Sequence, residues 1–169
     1  SIALGSGGAV RPGASDRLLG FAGGGRRTTT RLLDGEFPKY RTLLPTESAT
    51  TVRLDTASLA EAVKRVSLVA ERNTPVRLAF SDGEAMLRAG TGDDARADEA
   101  IECSIDGDDV EIAFNPAYLL DGLAAVDAPV AHMAFTQPTR PAVLTGLSEA
   151  SEQPTSAYRY LLMPVRLTG

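Results

Sequence analysis

One order of elements is written twice in this chain, and that repetition restricts the fold more than any other feature. Residues 50–54 read as a strand, and Asp55 is placed to cap a helix over residues 56–70 that ends near Arg72-Asn73-Thr74-Pro75. Strand patterns follow at 76–81, 85–89 and 95–104, the first two joined by Asp82-Gly83, a strong hairpin signal. The order then recurs. Residues 110–114 form a strand, and Asn115-Pro116 opens a helix to about residue 126, with Asn as cap and Pro at the first helical position. Strands at 130–135, 141–147 and 157–163 complete the second unit. The halves share pattern rather than residue identity. Two β-α-β-β-β units with both helices on one face of antiparallel sheets make an α+β domain.

The first 45 residues differ. Short strand-like runs at 1–4 and 18–22 are separated by Gly5-Ser6-Gly7-Gly8 and Gly23-Gly24-Gly25. Residues 26–33 carry three threonines, which suit a strand. Asp34-Gly35-Glu36-Phe37-Pro38 reads as a turn and irregular link, continued by residues 40–45. The segment resembles half of a unit without its helix.

Turning the first helix at about 100° per residue puts Leu59, Val63, Val66 and Ala70 on one stripe, flanked by Ala62 and Val69. Glu61, Lys64, Arg65 and Arg72 fall opposite, with Leu68 among them. Leu68 is then either an ordinary exposed leucine or a contact to another subunit. On the second helix Leu119, Leu120 and Leu123 make the core stripe and Tyr118 points away. Tyr118 either covers a neighbour or walls a pocket, since tyrosine joins an apolar face to a polar tip.

Composition argues against several classes. A net charge of −5 speaks against a basic, sequence-reading nucleic-acid domain, and the absence of Trp against a single-strand stacking platform. Apolar runs are too short to span a membrane, no leader pattern opens the chain, and the one cysteine, Cys103, builds no internal disulfide. A cytoplasmic protein is expected. His132, the one histidine, lies on a strand and reads as structural. The glycine clusters match no phosphate loop, and Asp93-Asp94 and Asp108-Asp109 lie in no metal-binding pattern. Arg26-Arg27 reads as a solvated strand edge. Neither catalysis, nor a metal, nor a cofactor is expected.

Three blocks carry a family resemblance. Leu33-Asp34-Gly35-Glu36-Phe37-Pro38-Lys39-Tyr40-Arg41 with Leu43-Leu44-Pro45 resembles the link between the second and third domains of bacterial β sliding clamps, the DNA polymerase III beta subunits. Ile112-Ala113-Phe114-Asn115-Pro116-Ala117-Tyr118-Leu119 resembles the start of that family's last helix. Tyr160-Leu161-Leu162-Met163-Pro164-Val165-Arg166-Leu167 resembles its C-terminal tail. The blocks stand in the family's order and spacing. Residues 26–33 and Thr139-Arg140-Pro141-Ala142-Val143-Leu144 look like actinobacterial versions.

The resemblance implies the DNA-clamp fold, with one complete domain and part of another: residues 1–45 as the end of domain two plus the link, residues 46–169 as domain three. It implies a processivity factor, not an enzyme. Its full ring of two subunits encircles duplex DNA without sequence specificity, among the nucleoid. Short linear motifs of the DNA polymerase III alpha subunit, the clamp loader and repair polymerases dock on it. Carried over, the peptide pocket comprises Pro38, Thr42, Leu43, Asn115, Tyr118, Thr139, Pro141, Leu161, Leu162, Met163, Pro164, Val165 and Arg166. Thr139 and Pro141 are expected on a strand. The subunit interface comprises Arg65, Leu68 and Val69, with Asp98 and Glu99 facing a basic first domain, and Lys64 and Arg72 face DNA. Two departures imply a partial pocket of reduced affinity. The family's Gly-His-Arg-Leu-like element precedes Ser1, and Thr42 stands where some clamps have arginine. A monomer is expected without a first domain. The alternative is a truncated clamp paralogue, a peptide-binding module or decoy that does not load on DNA.

Overall fold

The computed structural model describes residues 11–15, 18–34, 36, 39–45, 47–70, 74–90, 95–148 and 158–166. Its chain divides into two compact units, Ser1–Lys39 and Tyr40–Gly169, so the division falls inside the link. The first unit is an antiparallel meander of β1 (Arg11–Ser15), β2 (Leu18–Gly23) and β3 (Arg26–Arg31). The threonines of β3 sit where a strand was expected. β1 was not anticipated, because Pro12 and Gly13 are poor strand formers, yet it pairs from Arg11 opposite Ala22 to Ser15 opposite Leu18. The expected strand at 1–4 lies outside the described residues.

The second unit contains both repeats. The first holds β4 (Thr50–Asp55), α1 (Thr56–Ser67), β5 (Val76–Ser81), β6 (Glu84–Ala89), β7 (Ala97–Glu102) and β8 (Ser104–Asp106). The second holds β9 (Val110–Phe114), α2 (Pro116–Ala124), β10 (Val130–Phe135), β11 (Ala142–Leu147) and β12 (Tyr160–Leu162). Both caps form from the residues expected. The Asp55 carboxylate accepts the Ser58 N–H at 2.7 Å, and the Asn115 side-chain oxygen accepts the Ala117 N–H at 2.9 Å. Hydrogen bonds from Ser58 hold the Asp55 carboxyl below its ordinary range. Asp82 and Gly83 both take positive φ, 51° and 81°, as a two-residue hairpin turn requires.

Several boundaries differ from expectation: α2 ends at Ala124 rather than near residue 126, the last strand is only Tyr160–Leu162, and three others have a visible cause. α1 stops at Ser67 because the chain tightens: the Leu68 N–H bonds back to Arg65 and the Ala70 N–H to Ser67, each three residues away. Val69 and Ala70 still pack on the core. The run 95–104 is not one strand; it breaks at Cys103, whose N–H turns to the Gly83 carbonyl. Pro141 stays outside β11, because it has no N–H for the ladder.

The repeats exchange strands. One sheet runs β12-β11-β10-β4-β8 and the other β7-β6-β5-β9. Thus β4 of the first repeat pairs with β10 of the second, and β9 of the second with β5 of the first. β8, carrying the first repeat onward from β7, pairs with β4. Both helices pack against this frame, and Leu59, Val63, Val66, Leu119 and Leu123 join Leu78, Phe80, Met133, Phe135 and Leu144 in one buried cluster. α2 sits close on β12 and β11 at Gly122. A Cβ there would come within 2.7 Å of the Tyr160 ring and 3.1 Å of Leu144. Among the described residues every buried side-chain polar atom has a partner. Thr50 donates to the Asp108 carbonyl and Thr56 to that of Ala128.

His132 faces away from the cluster on β10 and pairs with Thr145 at 3.2 Å. Burial, then the Arg53 guanidinium, pushes its pKa down, which suits a neutral structural imidazole.

Replacing Gly122 with alanine gains some helix propensity but drives a methyl into Tyr160. We expect a net loss of about 1–2 kcal/mol, read as a lower urea midpoint. A raised midpoint would show that the helix is free to move off β12.

Candidate functional site

After β12 the chain does not turn away. Pro164 ends ladder pairing, and the next residue, Val165, donates its N–H to the Ala113 carbonyl at 2.8 Å. Ala113 belongs to β9, the edge of the second sheet. The tail therefore spans from the edge of one sheet to the edge of the other. It mirrors β8, which makes the same passage at the opposite side of the domain.

A hollow of about 510 Å³ opens beside this crossing, lined by Glu111, Ile112, Ala113, Pro138, Thr139, Met163, Pro164, Val165 and Arg166. Its surface is mainly apolar with a few polar groups, the make-up of a ligand site. Met163 stands 60% exposed at its mouth. A flexible thioether in that place adapts to varied apolar partners. Ala113 is almost fully buried although it points away from the main core. A second hollow of about 210 Å³ is lined by Thr42, Leu43, Leu44, Pro45, Thr136, Arg140 and Pro141. The tight turn from Gln137 to Arg140, closed by a 3.0 Å backbone hydrogen bond, connects the two hollows.

The thirteen carried-over pocket residues distribute as follows. Thr139, Met163, Pro164, Val165 and Arg166 line the first hollow, and Thr42, Leu43 and Pro141 the second. Thr139 and Pro141 lie in the turn before β11, not on a strand as expected. Asn115 caps α2, and Tyr118, one turn on, is 60% exposed. Tyr118 lies near enough to Tyr160 to help raise that phenol's pKa, after burial and Asp121. α2 itself packs on β12, the strand that leads to Met163, with Gly122 against the Tyr160 ring. Leu162 departs from expectation: it is 2% exposed and points into the core, since successive strand residues face opposite ways. Leu161, opposite Val143, takes the outer face. Pro38 lies outside the described residues. The hollow also uses Glu111, Ala113 and Pro138, which sequence reasoning missed. Their role follows from tail-to-β9 pairing, for which no local pattern exists.

The other expected surfaces lie elsewhere. Leu68 is 84% exposed at the end of α1. Arg65 beside it grips Glu99 of β7 with two nitrogens, which lowers the Glu99 pKa. Asp98 pairs with Arg88 and Arg96. Lys64 pairs with Glu61 at 2.8 Å. Both acids expected to face another subunit thus have partners within the chain. Arg72 lies outside the described residues. Among the described residues no cluster of three potential metal ligands occurs, and no helix is long and apolar enough to cross a membrane.

The family model for the DNA polymerase III beta subunit, C-terminal domain, matches residues 41–166. A beta sliding clamp of Streptomyces coelicolor is 56% identical over 157 residues, covering 93% of this chain and 42% of that protein. The beta sliding clamp homolog GriR of Streptomyces muensis is 44% identical over 165 residues, 96% of this chain and 44% of the homolog. Among solved structures, the Pseudomonas aeruginosa DnaN sliding clamp bound to griselimycin superposes with a TM-score of 0.80 at 25% identity, covering 95% of this chain and 42% of that one. A Caulobacter crescentus beta sliding clamp gives 0.80 at 31% identity, covering 94% and 41%. The chain therefore spans less than half the length of these relatives.

Val165→Pro removes the one donor that ties the tail to β9, at a cost of about 1 kcal/mol. Hydrogen exchange is expected to accelerate through the tail while β10 and β5 amides keep their protection. Tail exchange equal to that of the unaltered protein would mean that this bond does not hold the segment.

Proposed function

The chain belongs to the DNA polymerase III beta subunit family, the sliding clamps, and from that premise we propose that its tail hollow receives short peptides of replication and repair proteins. The observation that carries this reading is the tail crossing itself. A hydrogen bond from Val165 to Ala113 holds Met163 and Arg166 beside the Pro138–Thr139 turn and leaves an apolar hollow between segments far apart in the chain. Such a hollow takes an apolar anchor of a linear motif. Thr42, Leu43 and Pro141 extend it along the link, and the exposed Tyr118 is assigned to its rim from α2, which packs on β12.

In this reading residues 1–45 end the second clamp domain and continue into the link, and residues 46–169 form the third. The protein works without catalysis, in the cytoplasm at the nucleoid. The full assembly closes two subunits around duplex DNA and tethers the polymerase by topology, so tight phosphate contacts are unnecessary. That is consistent with a net charge of −5 and with Lys64 being paired to Glu61. Arg65, Leu68 and Val69 make the subunit contact, with the Arg65–Glu99 pair beside them. Docking partners are the polymerase alpha subunit, the clamp loader and repair polymerases.

A second reading rests on the 44% identity to GriR, which is a clamp homolog. Here the chain belongs to a paralogue that binds the same peptides. Exchange of the paralogue for the replicative clamp in a reconstituted polymerase assay separates the two: a paralogue of this kind does not support processive synthesis.

Two measurements test the proposal. A labelled clamp-binding peptide, titrated by fluorescence anisotropy, is expected to bind this chain, with Met163→Ala and Tyr118→Ala each weakening it about tenfold. Affinity unmoved by both substitutions would remove the hollow from the function. In light scattering residues 1–169 by themselves are expected to run as a single copy, because the surface that carries Leu68 is expected to meet a first clamp domain, which none of these residues matches. A stable ring-sized particle would refute that assignment of the interface.

A further inference from the structure

The surroundings of the tail hollow run against the charge of the chain. The protein has 22 acidic and 17 basic residues. Around this hollow, however, three arginines come from three separate elements. Arg166 lines it from the tail. Arg140 closes the turn that supplies Pro138 and Thr139, and lines the adjoining hollow. Arg77 stands on β5 directly opposite Ala113, whose carbonyl holds the tail. Opposed residues of an antiparallel pair point to the same face, so Arg77 projects on the side of the hollow. It is half-buried there.

None of the three guanidinium groups enters an ion pair among the described residues. Arg77 has a further reason to lack one. Its neighbour across β6 is another arginine, Arg88, which Asp98 already engages. Like charges directly opposite disfavour each other unless a partner intervenes. The single carboxylate in the lining is Glu111, two positions from Ala113 on β9. Asp109 lies two positions further from the tail. Among the described residues three cations thus stand against one carboxylate in the lining, with hydrophobic walls between them. Cations gathered around an apolar hollow favour a ligand that brings its own carboxylates, and arginine receives these in fork geometry.

Building on the peptide-binding reading above, we propose that this site selects peptides with acidic residues flanking their apolar anchors, and that Arg77 and Arg140, with Arg166, read those carboxylates. Nucleic-acid phosphate is the rival for the same cations. A phosphate backbone, however, offers no apolar anchor for the hollow that the arginines surround.

The test uses two labelled peptides of equal length with identical apolar anchors, one with Asp and Glu flanks, the other with Asn and Gln. With the unaltered chain at low salt, the acidic peptide is expected to bind about fivefold to tenfold tighter, and the gap to narrow at 0.5 M salt. In an Arg77→Gln, Arg140→Gln double variant the ratio is expected to fall below about twofold, and Arg77→Lys with Arg140→Lys to restore part of it. An unchanged ratio in the glutamine variant overturns the assignment, as does equal loss of both peptides, which would mark damage to the apolar seat. Failure of the unaltered chain to bind either peptide instead sinks the peptide-binding reading and this inference with it. Displacement of the acidic peptide by a short DNA duplex, in a manner lost with Arg77→Gln, would give the cations to phosphate and overturn the proposal. Circular dichroism of each variant shows whether its fold is intact.

Discussion

The exchange of first strands between the two repeats is the constraint on which the rest of the domain depends. Neither repeat completes a sheet alone. β4 lies against β10 and β9 against β5, so each repeat supplies strands to the sheet of the other. Loss of one interface therefore exposes strands of both. The arrangement also places the helices together, and their apolar stripes close on one shared cluster. Contacts of this kind join residues far apart in the chain, and their loop-closure cost is recovered only when both sheets are formed.

The hollow is a by-product of the same exchange. Having lent β9 to the first repeat's sheet, the second repeat leaves that strand at an edge. The chain's tail covers the edge with one backbone hydrogen bond instead of a full ladder. A complete strand there would fill the space, and no tail would leave the edge bare, a surface that proteins otherwise protect. A short tail interrupted by Pro164 does neither. It shields Ala113 and leaves the volume beside Met163 for another molecule's side chains.

Much of this was legible residue by residue. Asp55 and Asn115 announce helix starts because a short side-chain oxygen satisfies the free N–H groups of the first turn. Asp82-Gly83 announces a hairpin because both positions must take positive φ. Leu68 and Tyr118 stood out because each contradicts the pattern of its own helix, and both are exposed. Leu162 alone of its run faces the core, while Leu161 and Met163 face outward. A contiguous run of site residues was carried over as a block, whereas strand pleating sends alternate residues inward. The helix ends were also overextended, since the apolar stripe continues onto residues that pack on the core after the helix has stopped.

From the sequence alone came most of the elements, though neither β1 nor the break between β7 and β8, together with their order, their doubled arrangement and the family to which their motifs point. These are encoded in periods of two and 3.6 residues and in caps and turns, all of which act over a few positions. Tertiary structure alone decided which strand joins which sheet, that Cys103 marks a crossing, and that Ala113, Glu111 and Arg77 belong to the surroundings of the tail. Strand partners are joined by hydrogen bonds between backbones, which look alike in every residue but proline, and the side-chain pattern gives the buried face without naming the partner. The pairing of Val165 with Ala113 consequently leaves no trace in either side chain.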